Sequence, residues 1–427
     1  MTVPFQEAID FFRAKTNVGT RAWTDLWQGQ HAPAFSVAGA MNAGLLTDLR
    51  AAVDKAIADG TTLETFKRDF RKAVKTHGWT GWAGEGSRAG EAWRAGVIFN
   101  TNLRMAYNAG RFRRAQDLKA SRPYLRYVAV MDSQTRPQHR AWHNTVLPVD
   151  DAWWNTHHPP NGWGCRCTVQ SLASRDLRSL GLQVTDEAPP LNAETVTVNT
   201  PDGPVQVEQP QGIDKGFAYN PGRAGAATDL AREAGGQWQP TPTLRADASE
   251  ARPALPAVAP QRAPAARIEQ PTEASLQRAL RQVIGGDTRD YVDPVGMVQR
   301  IDTGLAAKLA ANKRTLFDHR ERWFPLIPEL IQQPQEVWVG FERNTETGRY
   351  RMRRRYFKNF ALEGAEAGRL GVLIGEAVEG NWRLFSFLMR NDADYAAART
   401  GRLIYRDPAL GLPAPRQPAA PVNRGDA

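Results

Sequence analysis

The chain is poor in cysteine, with two in 427 residues. They stand at Cys165 and Cys167, and a disulfide between cysteines one residue apart would be strained and would stabilise little. The sequence therefore does not indicate a disulfide scaffold. Its cysteine usage is typical of a protein in a reducing compartment.

The chain also lacks long apolar runs. No stretch reaches the roughly 20 apolar residues that a membrane-spanning helix needs, so no membrane partner is expected. Its start, residues 1–7, has neither the basic nor the apolar region of a signal peptide. From these absences we expect a protein that stays in the cytosol.

The length of the chain, 427 residues, exceeds what a single hydrophobic core usually holds, so we expect at least two folded units. Its 55 Lys and Arg against 45 Asp and Glu give a formal charge of +10. This excess favours partners that carry phosphate, such as RNA or DNA. Charge alone does not establish binding, because charged side chains also serve as solvated surface.

A change in composition separates the expected units. Between residues 239 and 270, proline, alanine, arginine and polar residues follow one another without an apolar period, which predicts an extended linker. We therefore expect a first module over residues 1–222, a proline- and alanine-rich linker over 223–272, a second domain over 273–406 and a disordered tail over 407–427. The linker would let the second domain move independently.

Hydrophobic spacing predicts an α+β fold. The first module is expected to be mainly helical with a small β region, and its longest helix is predicted over 90–118, with an apolar stripe that begins at Trp93. A strand is predicted over 124–131. The second domain is expected to combine helices with a small antiparallel sheet, with strands over 336–341, 349–357, 370–378, 382–389 and 402–405.

Both cysteines lie near two spaced histidines. His139 and His143 are four residues apart, which predicts that they share one face of a helical turn, and Cys165 and Cys167 would project their sulfurs to one side of an extended chain. Four such ligands form the tetrahedral set of a structural zinc site. The alternative is that they are ordinary hydrogen-bonded histidines and small buried cysteines. Asp132 is expected to orient a ligand histidine.

An ordered series of motifs runs through the first module. It comprises Phe35-Ser36-Val37-Ala38-Gly39, Phe99-Asn100-Thr101-Asn102, Ala106-Tyr107-Asn108-Ala109-Gly110, Asp132 with Arg136-Pro137 and His139, Leu147-Pro148, Pro159-Pro160-Asn161-Gly162-Trp163, Cys165-Arg166-Cys167, Gly212-Ile213-Asp214 and Gly216-Phe217. With these motifs the first half of the chain resembles the phage Mu F-like family of head morphogenesis proteins, also called minor capsid proteins.

That resemblance implies a phage minor head protein that associates with the portal and capsid proteins. It would be found in the bacterial host cytoplasm and, in small copy number, in the virion. In many members of the family, two cysteines occupy the positions of Arg136 and His139. A metal site in this chain would therefore need His143 or His158 to complete it.

A looser set of motifs marks the second domain. It comprises His319, Pro328-Glu329-Leu330-Ile331, Pro334, Glu336-Val337-Trp338, Arg355-Tyr356-Phe357-Lys358 and Phe385-Ser386-Phe387. With them the second domain resembles the phage-borne nucleases of the barnase, EndoU, colicin and RelE group, which are found fused behind Mu F-like domains. The resemblance implies a toxin-like effector that binds RNA, with an immunity protein as a potential partner.

Cleavage of RNA without a metal or other cofactor requires a base for the ribose 2′-hydroxyl proton, an acid for the leaving oxygen and cations around the phosphate. His319 suits either proton-transfer role, and Glu336 is a second candidate base. Further candidates on the predicted strands are the cations Arg355 and Lys358 and the hydrogen-bond donors Tyr356 and Ser386.

Other interpretations stay open from the sequence. The arginine-rich strand is also typical of an edge strand that charge protects from aggregation, and His319 would also suit a helix surface. The second domain would then bind nucleic acid without cleaving it, in a purely structural head protein. A third hypothesis is a zinc-dependent enzyme that uses the His and Cys cluster.

Overall fold

A computed structural model describes residues 4–201, 203–225, 238–241, 252–294, 298–311, 319–346, 348, 350–361, 370–378, 381–390, 399 and 401–412, with residues 370–378 and 381–390 described by their backbone. The chain forms two compact units, the first made mainly of residues 1–239 and the second mainly of residues 240–417. Within the described residues, none of the helices combines the length and apolar character needed to span a bilayer.

The first unit is built on four helices: α1 (Gln6–Arg13), α2 (Ala43–Asp59), α3 (Leu63–His77) and α4 (Arg88–Leu118). Side chains that precede α2, α3 and α4 accept hydrogen bonds from their first-turn amides, as N-caps do, and belong to Asn42, Thr62 and Ser87. Two short parallel strands, β1 (Thr16–Asn17) and β2 (Ala34–Phe35), lie beside the helices. Apolar residues of all four helices share one core.

The buried face of α4 differs from the predicted stripe. Trp93, the first residue of that stripe, is 54% exposed. Alanine and glycine supply much of the buried face because α1 approaches α4 closely: a Cβ on Gly110 would lie 2.8 Å from the backbone nitrogen of Ala8. Small side chains, rather than large apolar ones, therefore set the distance between these two helices.

A small β layer follows α4. Its strands β3 (Tyr124–Val128), β4 (Val146–Pro148) and β5 (Thr168–Leu172) form an antiparallel sheet in the order β4-β3-β5. The short helices around it are α5 (Pro137–Ala141), α6 (Trp154–His157) and α7 (Ser174–Leu180). The hairpin β6 (Ala193–Thr200) and β7 (Gly203–Pro210) and the short helix α8 (Pro221–Ala224) complete the unit.

The second unit combines helices with one large sheet. Its elements are α9 (Glu273–Ile284), the hairpin β9 (Thr288–Val292) and β10 (Val298–Asp302), α10 (Gly304–Ala311), a 3₁₀ helix (Arg320–Leu326) and α11 (Ile327–Gln332). The sheet has the order β14-β13-β12-β11-β15, and β8 (Trp238–Thr241) also pairs with β11. These strands are β11 (Glu336–Asn344), β12 (Tyr350–Lys358), β13 (Leu370–Val378), β14 (Asn381–Arg390) and β15 (Arg402–Arg406).

The sheet of the second unit has two different faces. Val337 and Tyr356 belong to the main core with the helical residues Trp323 and Leu330. On the opposite face, Trp338, Phe357 and Leu403 form a smaller cluster with Leu255. The α+β fold class predicted from the sequence is confirmed in both units, and each described strand of the sheet lies within about three residues of its prediction.

Residues 252–268, which we call the strap, lie within the predicted linker but are bound along the second unit. The strap makes hydrogen bonds at Leu255, Val258, Gln261, Ala265 and Ile268. The small number of apolar residues in this segment suggested a free chain, yet the strap is held mainly through its backbone groups, with help from the buried side chain of Leu255 and a hydrogen bond from the side chain of Gln261. Residues 226–237, 242–251 and 413–427 of the predicted linker and tail lie outside the described residues.

Candidate functional site

Three of the four predicted metal ligands converge in the β layer of the first unit. The Nδ1 atom of His139 lies 3.7 Å from the sulfur of Cys165 and 3.7 Å from the sulfur of Cys167. These ligand atoms all lie within 4.8 Å of one another, and the three residues are buried. Nitrogen and sulfur ligands of a tetrahedral zinc ion are about 3.5 Å apart. The spacing therefore fits such an ion.

A hydrogen bond orients the imidazole of His139. Its Nε2 lies 3.0 Å from the backbone oxygen of Gly212. Because a carbonyl oxygen only accepts hydrogen bonds, Nε2 carries the proton and Nδ1 presents its lone pair to the two sulfurs. The ring also stacks on Trp142 at 5.2 Å between ring centres. Metal-binding histidines are held in this way by the partner of their second nitrogen.

A hydrogen bond between the two cysteine side chains shifts their pKa values in opposite directions. This bond holds the pKa of Cys165 well below its usual range. The pKa of Cys167 is raised by the same hydrogen bond and by burial. A divalent cation that displaced the thiol protons would have two thiolate ligands.

His143, the fourth predicted ligand, lies outside this cluster. Helix α5 ends at Ala141, so His143 does not follow His139 on a helical face. Its Nδ1 accepts a hydrogen bond of 3.1 Å from the backbone N–H of Ala129. His158, the other residue considered, packs against the ring of Phe112 with its own centre 5.3 Å away.

The sequence predicted that Asp132 orients a ligand histidine, but in the structure it pairs with Arg166 instead. Its two carboxylate oxygens accept hydrogen bonds of 2.6 and 2.7 Å from the guanidinium of Arg166. This pairing lowers the pKa of Asp132 to about 2. The orienting role belongs to Gly212 instead, which lies in a predicted family motif but has no side chain to signal such a role.

His157 is a residue of this region that the sequence analysis missed. Its imidazole is fully buried, stacks on Trp153 at 4.3 Å and, within the described residues, leaves Nε2 without a hydrogen-bond partner. Burial, with a smaller contribution from His139, lowers the pKa of His157 to about 4. The position of His157 in the sequence did not indicate that it would lie near His139.

The predicted catalytic residues of β12 lie on different faces of the strand. Side chains alternate along a strand, and the buried positions of β12 include Arg354, Tyr356 and Lys358, whereas Arg355 is half-buried on the other face. The hydroxyl of Tyr356 donates a 2.7 Å hydrogen bond to Asp293, which also pairs with Arg354 at 2.5 Å. Tyr356 is thus part of a buried ionic group.

Two further candidates are also held in buried ion pairs. The ammonium of Lys358 lies 2.8 Å from the carboxylate of Glu329. The carboxylate of Glu336 is fully buried and lies 2.7 Å from the guanidinium of Arg399 and 2.9 Å from that of Arg406. Arg399 donates a hydrogen bond to one oxygen of Glu336 and Arg406 donates one to the other, so both oxygens are occupied in this buried ionic group.

His319 stands apart from these residues. Its Nδ1 lies 3.2 Å from the carboxylate of Glu321, and its side chain is 14% exposed. The backbone of Ser386 lies in β14 opposite Ile374 of β13, and its side chain lies outside the described residues. No hydrogen bond or ion pair within the described residues joins His319 to Glu336 or Lys358.

Two family models match the chain in succession. Residues 47–170 match the family described as phage Mu protein F like protein. Residues 275–406 match the family described as phage-Barnase-EndoU-ColicinE5/D-RelE like nuclease2. The first match contains the His and Cys cluster, and the second contains all six predicted catalytic residues.

Two curated relatives resemble part of the chain. The putative capsid assembly protein F of Escherichia phage Mu is 37% identical over 248 residues, 54% of this chain and 56% of that protein. The Mu-like prophage FluMu F protein of Haemophilus influenzae is 34% identical over 224 residues, 49% of this chain and 54% of that protein. The chain thus spans about half the length of the curated relatives it matches. No solved structure matches the chain.

These findings confirm the recognition made from the motifs. Residues 47–170 are similar to the phage Mu F-like family, and residues 275–406 are similar to the phage-borne nuclease-like family.

Proposed function

We propose that this chain is a phage head-assembly protein that associates with the portal and capsid proteins and carries an RNA-cleaving effector behind its assembly unit. The single observation that carries the first part is the 37% identity to a protein named as a putative capsid assembly protein. Co-expression with the portal protein of the same phage tests it. We expect the portal protein to co-purify with the full chain and not with the second unit alone. If it does not co-purify with the full chain, portal association is contradicted.

The first unit is proposed to hold one structural zinc ion through His139, Cys165 and Cys167. The support is the 3.7 Å spacing of the sulfurs from Nδ1, the lone pair directed at them and the burial of all three residues. Bound there, the ion would tie α5, the segment before β5 and the Gly212 loop together. The burial of all three residues favours this structural role over zinc-dependent catalysis, which needs a coordination position open to substrate.

Metal analysis of the purified full chain tests the zinc proposal. About one zinc per chain is expected, and His139→Ala and Cys165→Ser should each lose it, because a three-residue ligand set tolerates no loss. His143→Ala is the matched control and should keep the metal. A chain without zinc, or equal metal loss in His143→Ala, would contradict the proposal.

The second unit is proposed to be a metal-independent endoribonuclease. His319 is proposed to transfer the proton, since its imidazole titrates near neutral pH as a free group and its side chain is partly accessible, and Arg355 to contact the phosphate. Ser386 remains a proposed hydrogen-bond donor. Glu336, Tyr356 and Lys358 are better explained as structural, because each is buried in an ion pair or hydrogen bond.

A second candidate function is RNA binding without cleavage. It is favoured by the burial of Glu336 and Lys358 in ion pairs, since an acid and a base must both reach the reacting phosphate. An immunity protein would be needed only by the active nuclease.

Incubation of the full chain with total RNA in EDTA separates these two functions. Cleavage by the wild type, lost by at least about 100-fold in His319→Ala, is expected for a general acid or base. RNA binding should be retained by this variant. RNA binding without cleavage, both by the wild type and by a variant in which the strap is released, would favour the second candidate.

A further inference from the structure

The strap crosses the second unit from one face of the sheet to the helices. At its start, the carbonyl oxygen of Pro253 accepts a 2.8 Å hydrogen bond from Arg399, the partner of Glu336. Arg252 lies over the ring of Trp338, 5.4 Å from its centre. Leu255 is 4% exposed and packs with Trp338, Phe357 and Leu403.

The middle of the strap forms an isolated parallel β-bridge with the segment that follows β12. Val258 donates a 2.8 Å hydrogen bond to the carbonyl of Asn359 and accepts one of 2.7 Å from Ala361. The side chain of Asn359 donates to the carbonyl of Leu255 at 2.7 Å, and that of Gln335 to the carbonyl of Pro256 at 2.8 Å. These bonds fix the register of the strap along the end of β12.

The end of the strap contacts two carboxylates that pair with candidate catalytic residues. The backbone N–H of Gln261 donates 2.7 Å to Glu329, which is the carboxylate paired with Lys358. The backbone N–H of Ile268 donates 3.1 Å to the same oxygen of Glu321 that faces His319. His319 thus shares its carboxylate with the strap.

The strap is held in a way that permits release. Most of its side chains are exposed, and Leu255 is its single fully buried one. Segments fixed by few apolar contacts open at low cost in free energy. Prolines at positions 253, 256, 260 and 264 keep the free segment extended, so rebinding costs little conformational entropy.

We propose that the strap is an autoinhibitory segment, which covers the RNA-binding surface of the second unit and is displaced before RNA reaches His319. This inference rests on the proposed function. Its physical basis is competition between the strap and RNA. If the strap-bound form predominates, the apparent affinity for RNA equals the intrinsic affinity multiplied by the small fraction of molecules in which the strap is released. In the absence of RNA, this surface is covered by the strap of the same chain.

Two variants of the full chain release the strap at opposite ends. Leu255→Asp places a carboxylate among Trp338, Phe357 and Leu403, which disfavours the bound strap. Ile268→Pro removes the N–H that binds Glu321. Val292→Asp is the matched control, because it adds the same charge to the second unit at a side chain that is 56% exposed.

Three measurements are made on each protein: amide hydrogen exchange of the strap, affinity for a labelled single-stranded RNA in EDTA, and cleavage of that RNA. Faster strap exchange with roughly 10- to 100-fold tighter RNA binding is expected for both release variants, and no change for Val292→Asp. An added peptide of residues 252–268 should restore weak binding. The same peptide carrying Leu255→Asp should not.

Faster strap exchange with unchanged RNA affinity would overturn the inference, and so would a strap that stays protected in both variants. Tighter binding without any cleavage would support the strap inference and contradict the ribonuclease proposal. If Leu255→Asp fails to fold, Ile268→Pro still gives the decision.

Discussion

At the scale of single residues, the sequence indicates which residues could bind a metal ion, but not the hydrogen bonds that orient them. The sequence predicted His139, Cys165 and Cys167 as neighbours, and the structure brings them together. It did not indicate that Gly212 would supply the carbonyl that orients His139, because that bond depends on a backbone group 73 positions away. Long-range backbone contacts leave no trace in local composition.

Burial of two adjacent histidines makes the first unit sensitive to acid. Burial lowers the pKa of His157 to about 4 and that of His158 to about 3, from 6.5. Between these values and 6.5 the unfolded chain binds more protons than the folded one, so stability is lost as the pH falls below about 6.5. Urea unfolding at pH 7.5, 6.0 and 4.5 should show falling midpoints, with a smaller fall in His158→Gln. An identical fall in both proteins would contradict this account.

Tyr356 is expected to stabilise the second unit rather than to act in catalysis. Tyr356→Phe removes one of the donors to the buried carboxylate of Asp293 and should lower the free energy of unfolding by about 1–3 kcal/mol. RNA cleavage below the melting temperature should be unchanged. Lost cleavage with unchanged thermal stability would instead identify Tyr356 as catalytic.

At the scale of elements, apolar spacing and capping residues located most helices and strands. The long helix α4 begins two residues before its prediction and ends where predicted. The exposure of Trp93 was not predictable, because its stripe was inferred from large apolar residues while α1 packs against small ones. Helix periodicity gives candidate faces, and the neighbouring element decides which one is buried.

Two glycines of α4 should respond oppositely to alanine. Gly110→Ala would place a Cβ against the backbone of α1 and should destabilise the first unit by about 1–3 kcal/mol. Gly96→Ala meets only the side chain of Asn100 at 3.9 Å and should stabilise the helix by about 0.5–1 kcal/mol. Thermal unfolding of both variants tests the close approach of α1, and equal effects would contradict it.

At the scale of the whole molecule, the sequence predicted two units, and the structure contains two. The predicted linker differs most, because composition shows that a segment lacks apolar residues but not whether its carbonyls and amides find partners. The same holds for charged side chains: Glu336 and Arg399 are 63 positions apart and pair in the interior. Sequence reasoning chose catalytic candidates by residue type, and several of them are occupied in such buried pairs.

The division of labour between the two units is tested most directly by measuring zinc content and RNA cleavage together in the full chain, in a strap-released Leu255→Asp background. Cys165→Ser should lose the zinc and keep cleavage, whereas His319→Ala should keep the zinc and lose cleavage. Cleavage that disappears with the zinc in Cys165→Ser, or that survives in His319→Ala, would contradict the account.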